Sequence, residues 1–193
     1  EDSLLTTLTY YHRNKFQIAI HAQGEVAIQG ILDAFTKILS KYPRTNHRHR
    51  IEHNALITKE QIAQAEKLGI TLSFFIDHIY YYGDKLEYIV GPERAERFMP
   101  IQSAISAGHN ATIHTDNPAT PIDPFRAIST AVMRKTKDDN VILGKNEQIS
   151  VYDALKSITI NAAWQLFEDQ SRGSITIGKS ADLAILSHNP LEI

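Results

Sequence analysis

The chain has 193 residues, 42% of them hydrophobic, enough to bury one sizeable core. A net charge of -2 with scattered basic residues gives no electrostatic footprint for nucleic acid or an anionic membrane, and the lack of cysteine excludes a disulfide framework and any thiolate metal site. No run approaches the roughly 18 apolar residues that span a bilayer, and no basic-then-apolar signal opens the chain.

Residues 2–16 set Leu4, Leu5, Leu8 and Tyr11 on one face, predicting a packing helix that the chain enters part-way, as a piece of a longer chain would. Residues 17–22 read as a strand. A helix over 26–42 follows, with Ile28, Ile31, Leu32, Phe35, Ile38 and Leu39 at a period near 3.6, closed by Pro43. After a short strand at 50–53, Thr58 and Gln61 form a capping box for a helix over 59–68 that Gly69 ends. Residues 70–75 form a continuous apolar strand suited to burial on both faces. Residues 76–97, with Tyr80, Tyr81, Tyr82 and Tyr88, read as a long functional loop, its tyrosines serving lid packing or substrate contact. A helix over 98–107 ends at Gly108, and a short strand containing Ile113 follows. Residues 124–135 read as a helix, 135–147 as polar and exposed, and 151–166 as a further helix. Residues 173–186 (GSITIGKSADLAIL) read as two short strands around Gly178.

Three of these strands end on chemistry-bearing side chains: the first on His21, the second on His53, and the stretch 110–123 on His114 and Asp116. Presenting groups from strand ends into the following loops is how (β/α) enzymes address substrate. Imidazole and carboxylate donors suit zinc or a related divalent ion, and a carboxylate beside activated water can accept its proton. Each residue also has a structural reading. His21 and His53 can be satisfied core histidines, Asp116 can cap a turn before Pro118, and Glu25 can complement a helix dipole. His78 and His114 fit pocket walls or plain loops, and His12, His47, His49, His109 and His188 fit surface or structural roles. Four strand-helix units cannot close where a barrel needs eight, so the economical fold is a half barrel.

At these residues the chain resembles the amidohydrolase superfamily, and within it amidohydrolase family 3, the YtcJ-like metal-dependent hydrolases. His21 in HAQGEVAI is similar to the histidine ending the family's fifth strand, and His53 in RIEH to that of the sixth. Asp116 in HTDNPATPIDP resembles the eighth-strand aspartate, and His78 stands where a seventh-strand histidine is common. GPERAERFMPIQSAISAG and GSITIGKSADLAIL resemble two further family segments.

The resemblance implies an α/β fold, the C-terminal half of a TIM-type (β/α)8 barrel (strands 5 to 8) over residues 1–168, with strands of a small accessory β-sandwich at 169–193. It implies hydrolysis of C–N bonds of a small amide or cyclic amide, with His21 and His53 as metal ligands, Asp116 as ligand and base, and His78, His114 and Glu25 toward substrate. The implied cofactor is a divalent metal, zinc first, as one or two ions in the full enzyme. The implied partners are a small-molecule substrate and the N-terminal half of the barrel, with room for a homo-oligomer. The alternatives are a deaminase of the same superfamily and a non-catalytic module acting by association. Departures from the pattern are Glu25 for an aspartate, His114 for a serine and Ile76-Asp77 before His78. The HxH pair of the first strand and the fourth-strand ligand have no counterpart; the chain's own HxH, His47-Arg48-His49, lies just before the RIEH strand.

Overall fold

The computed structural model describes residues 2–192. Four parallel strands, β1 (Ala19–Ala22), β2 (Arg50–His53), β3 (Thr71–Phe74) and β4 (Thr112–Ile113), lie side by side in chain order. Parallel neighbours require crossovers, and helices supply them: α2 (Glu25–Lys41), α3 (Lys59–Lys67) and, between β3 and β4, α4 (Asp77–Val90), α5 (Pro92–Glu96) and α6 (Ile101–Ser106). α1 (Asp2–Arg13) precedes β1; α7 (Pro124–Met133), α8 (Val151–Ile158) and α9 (Ile160–Gln165) follow β4. No described helix is long and apolar enough to cross a membrane.

The strand register decides where the side chains go. Ala22 pairs with His53, His53 with Phe74, and Phe74 with Ile113, so the four C-terminal strand ends share one rim. Behind the sheet, Ile28, Leu32, Phe35 and Ile38 of α2 pack with Ile51, Ile62, Leu72 and Phe74, all essentially inaccessible. Each such side chain contributes about 1.5–3 kcal/mol on burial, which fixes the register. All four residues of β3 are buried, whereas Ala19 and His21 are exposed on β1, the first strand of the sheet. The capping box at α3 forms in full, Thr58 with the Gln61 backbone and Gln61 with the Thr58 backbone.

Four expectations change. Residues 76–97 are helices α4 and α5, because Ile79, Gly83 and Leu86 recur at helical spacing on the buried face. Gly83 hides that pattern in the sequence: a Cβ there would lie 2.4 Å from Thr136 Cγ2, so glycine lets the segment carrying Thr136 approach the helix. Residues 135–147 are correspondingly less exposed than expected, with Thr136, Leu143 and Glu147 buried and Lys135 bridged to Ile142. The helix expected over 151–166 divides at Thr159, whose φ of -119° and ψ of -96° leave the helical region. Finally, no strand forms over 173–186; Ile175, Ile177 and Ile185 stand exposed, because a strand needs a pairing partner and none lies among the described residues.

Candidate functional site

Four histidines gather at the C-terminal rim of the sheet. The rings of His21 and His53 meet edge-on with centroids 4.5 Å apart, and those of His53 and His114 at 5.1 Å. His114 Nε2 lies 3.2 Å from His53 Nδ1, and its Nδ1 lies 2.7 Å from Ser73 Oγ. Phe75 packs beside them, 5.8 Å from the His53 ring and 5.6 Å from that of His114, with the His78 ring 3.8 Å away.

His53 is placed by strain as well as by register. Its φ of 76° is the largest among the non-glycine residues at positive φ, and Asn54 follows at 54°. Two consecutive left-handed residues end the strand and turn the imidazole across the rim. Such backbone persists only where the surroundings hold it. Here Asn54, fully buried, donates Nδ2–H to the carbonyls of Ile51 at 2.7 Å and Ser73 at 3.0 Å, tying the ends of β2 and β3 together.

Burial favours the neutral form of three of these imidazoles, His53, His78 and His114. It pushes His114 down to about 3, assisted by His53 and Arg50, and His78 down to about 4, assisted by His53 and opposed by Asp116. His53 is lowered too, first by burial and then by His21, with Asp116 and Glu52 pulling the other way. Beneath them Glu52 is held by Arg50 Nε at 2.5 Å and stands 3.9 Å from His114 Nδ1.

Asp116 sits in an exposed loop at a φ of 50°. The loop is anchored from below. Arg126 of α7 donates to Asp77 at 2.8 Å and to the Pro121 carbonyl at 2.7 Å, while Thr120 bonds Asp77 and the Thr115 carbonyl. Asp77 is fully buried at the start of α4, so this ion pair fastens the Asp116 loop to the element that also carries His78. The sequence reading passed over Asp77, Arg126, Glu52 and Ser73. For Glu52 and Ser73 the available signal was polar residues within short strands.

Glu25 is engaged in ion pairs. Arg94 Nε lies 2.8 Å from its carboxylate and Arg97 also binds it, and the Arg94 hydrogen bond leads the causes that lower its pKa. His109 bonds the Ile62 carbonyl, a structural use. His12, His47 and His49 form a second cluster at the opposite ends of the strands. The Ile18 N–H donates to His49 Nδ1, so His49 Nε2–H donates to His12 Nδ1 and His12 Nε2–H to the Tyr42 carbonyl. The His49 N–H donates to His47 Nδ1, and His47 Nε2–H to the Leu68 carbonyl. All six ring nitrogens are used.

Two adjacent imidazoles and a nearby carboxylate are the donor chemistry of a zinc-type ion. Among the described residues, however, no three His, Asp or Glu side chains come close enough to hold a metal ion by themselves.

The amidohydrolase family profile matches residues 2–193. The chain belongs to the amidohydrolase family. It is 30% identical over its whole length to the amidohydrolase YtcJ of Bacillus subtilis, covering 36% of that protein, and 34% identical over 92% of its length to Protein LONG AFTER FAR-RED 3 of Arabidopsis thaliana, covering 30%. An N-substituted formamide deformylase of Arthrobacter pascens is 27% identical over 91% of the chain, which covers 32% of it. The chain thus spans about a third of the length of these relatives. Among solved structures, a metal-dependent hydrolase from Pyrococcus horikoshii OT3 superposes with a TM-score of 0.82 at 25% identity, over 100% of this chain and 38% of that one. A zinc-bound adenosine deaminase from Xanthomonas campestris shares the fold with a TM-score of 0.63 at 16% identity, over 92% and 38%. The solved neighbours come from the amidohydrolase TIM-barrel superfamily, and this chain is α/β with a four-stranded parallel sheet.

Proposed function

We propose that the chain forms the C-terminal half of a (β/α)8 barrel, with residues 169–193 belonging to an accessory β-sandwich, and supplies part of the active site of a metal-dependent hydrolase of small amides or cyclic amides. The observation that carries this reading is the meeting of His21, His53 and His114 at one rim, beneath the anchored Asp116 loop. The name of the formamide deformylase among its relatives agrees with C–N bond cleavage.

In this reading His21 and His53 hold a divalent ion, zinc first, and Asp116 contributes a further ligand. When bound, such an ion supplies a Lewis acid that lowers the pKa of water to about 7. Asp116, exposed beside the rim, accepts the proton of the attacking water and passes it to the departing nitrogen. His53 presents a lone pair on Nε2 only in the tautomer whose Nδ1–H donates to His114 Nε2. His114 Nδ1–H then donates to the Ser73 hydroxyl, so His114 and Ser73 set the proton on His53. Phe75 and the half-buried His78 shield the rim on one side. The remaining ligands belong to the other half of the barrel, so the isolated 193 residues bind zinc weakly and hydrolyse nothing.

The test compares the intact enzyme with the 193-residue chain, scoring amine release from simple amides at stoichiometric zinc. Turnover by the intact enzyme alone is expected, and robust turnover by the isolated chain would overturn the half-site reading. A deaminase is the second reading, favoured by the fold shared with the adenosine deaminase. Ammonia release from an aminopurine, without amine release from amides, would select it.

A further inference from the structure

A cavity of about 280 Å³ opens beside the rim, and His78 forms the wall between the two. Its floor comes from the same loops that follow the rim histidines. Gln23 and Gly24 lie two and three residues beyond His21, and Ala55 and Leu56 two and three beyond His53. Leu86 and Ile89 of α4, with Phe98, close the far side. No Asp, Glu, Lys or Arg lines the space, so a charged group entering it would lose its hydration without a partner.

We infer that this cavity is the subsite for an uncharged, ring-sized apolar substituent of the substrate, whose reacting amide lies at the rim. The inference rests on the hydrolase reading above and adds the substrate class to it: amides carrying an aryl or branched-alkyl group. The space suffices for a ring-sized substituent, since a cavity of about 150 Å³ takes up benzene. The tyrosine run enters the same account. Tyr82, half exposed, lines the mouth with its ring 5.2 Å from that of His78, whereas Tyr81 packs under the Arg126 guanidinium at 5.3 Å. Of these two, Tyr82 serves substrate contact and Tyr81 serves packing.

The test is calorimetric binding of acetamide and N-benzylacetamide to the intact zinc-loaded enzyme and to two variants. The unaltered enzyme is expected to prefer N-benzylacetamide by at least about tenfold, the scale of burying one aromatic ring. Gly24→Phe fills the cavity without strain. Gly24 has ordinary extended backbone (φ -92°, ψ 155°), and a Cβ added there meets nothing within 4 Å. Its preference is expected to collapse below about threefold, and Tyr82→Ala to weaken N-benzylacetamide binding alone. Equal binding of the two amides, or a preference that survives both variants, overturns the subsite. Amine release is scored separately: an enzyme that shows the preference but cleaves neither amide nor any other overturns the hydrolase reading and leaves the subsite, and one that cleaves both without preference does the reverse.

Discussion

The chain carries two clusters of histidines at opposite ends of the same strands, and they differ in closure. At the N-terminal end, His12, His47 and His49 spend all six ring nitrogens on one another and on backbone groups, with Phe35 stacked on His49 at 5.0 Å. At the C-terminal rim, only His114 has both nitrogens engaged; His53 has one, and His21 and His78 make no side-chain hydrogen bond among the described residues. Ring nitrogens left unspent are what a metal or substrate requires, whereas a closed relay is a latch. α1 is held to the sheet by that latch through His12. Spacing alone points the other way, because the chain's one HxH lies in the latch.

The sharpest way to break this comparison is at the rim. Asp116→Asn in the intact enzyme is expected to lower kcat by about 10²–10⁴ with melting unchanged, the range for loss of a general base. Near-normal turnover in that variant would return Asp116 to a turn-capping role.

Acid tests both clusters together. His49 and His114 are each held near 3 and His78 near 4, against a free value near 6.5. The unfolded chain therefore binds more protons than the native one below pH 6.5. Stability is full above that pH and falls as pH drops toward 4, by up to about 1.4 kcal/mol per pH unit for each such site. Urea midpoints measured from pH 7 to pH 4 should fall steadily, and a flat profile would contradict the buried neutral state.

His12→Phe separates latch from rim. It leaves the His49 Nε2–H without an acceptor, which costs about 1–3 kcal/mol in a buried site, and kcat is expected to stay put. Last, Ser73→Ala removes the partner of His114 Nδ1 and is expected to weaken zinc binding by about tenfold, the lower end for outer-shell partners. No change in zinc affinity would break the relay from Ser73 to His53.

Much of this was legible in the sequence, and the parts that were not have physical reasons. The strand ending in His53 was placed to the residue because RIEH alternates and its neighbours turn. The capping box was legible because it is local chemistry between Thr58 and Gln61. α4 was missed because Gly83 contributes nothing to an apolar count, although close packing against Thr136 is the reason it is glycine. The Asp77–Arg126 anchor joins residues 49 positions apart, and no local pattern announces such a pair. The strands expected over 173–186 depended on pairing that local pattern cannot supply.

The most direct test of the central claim is zinc content, measured by mass spectrometry on the intact enzyme and on His53→Asn and His47→Asn variants at matched purity. The account predicts that His53→Asn loses bound zinc and that His47→Asn keeps it. Zinc retained by His53→Asn and lost by His47→Asn would contradict it and move the metal to the opposite end of the sheet.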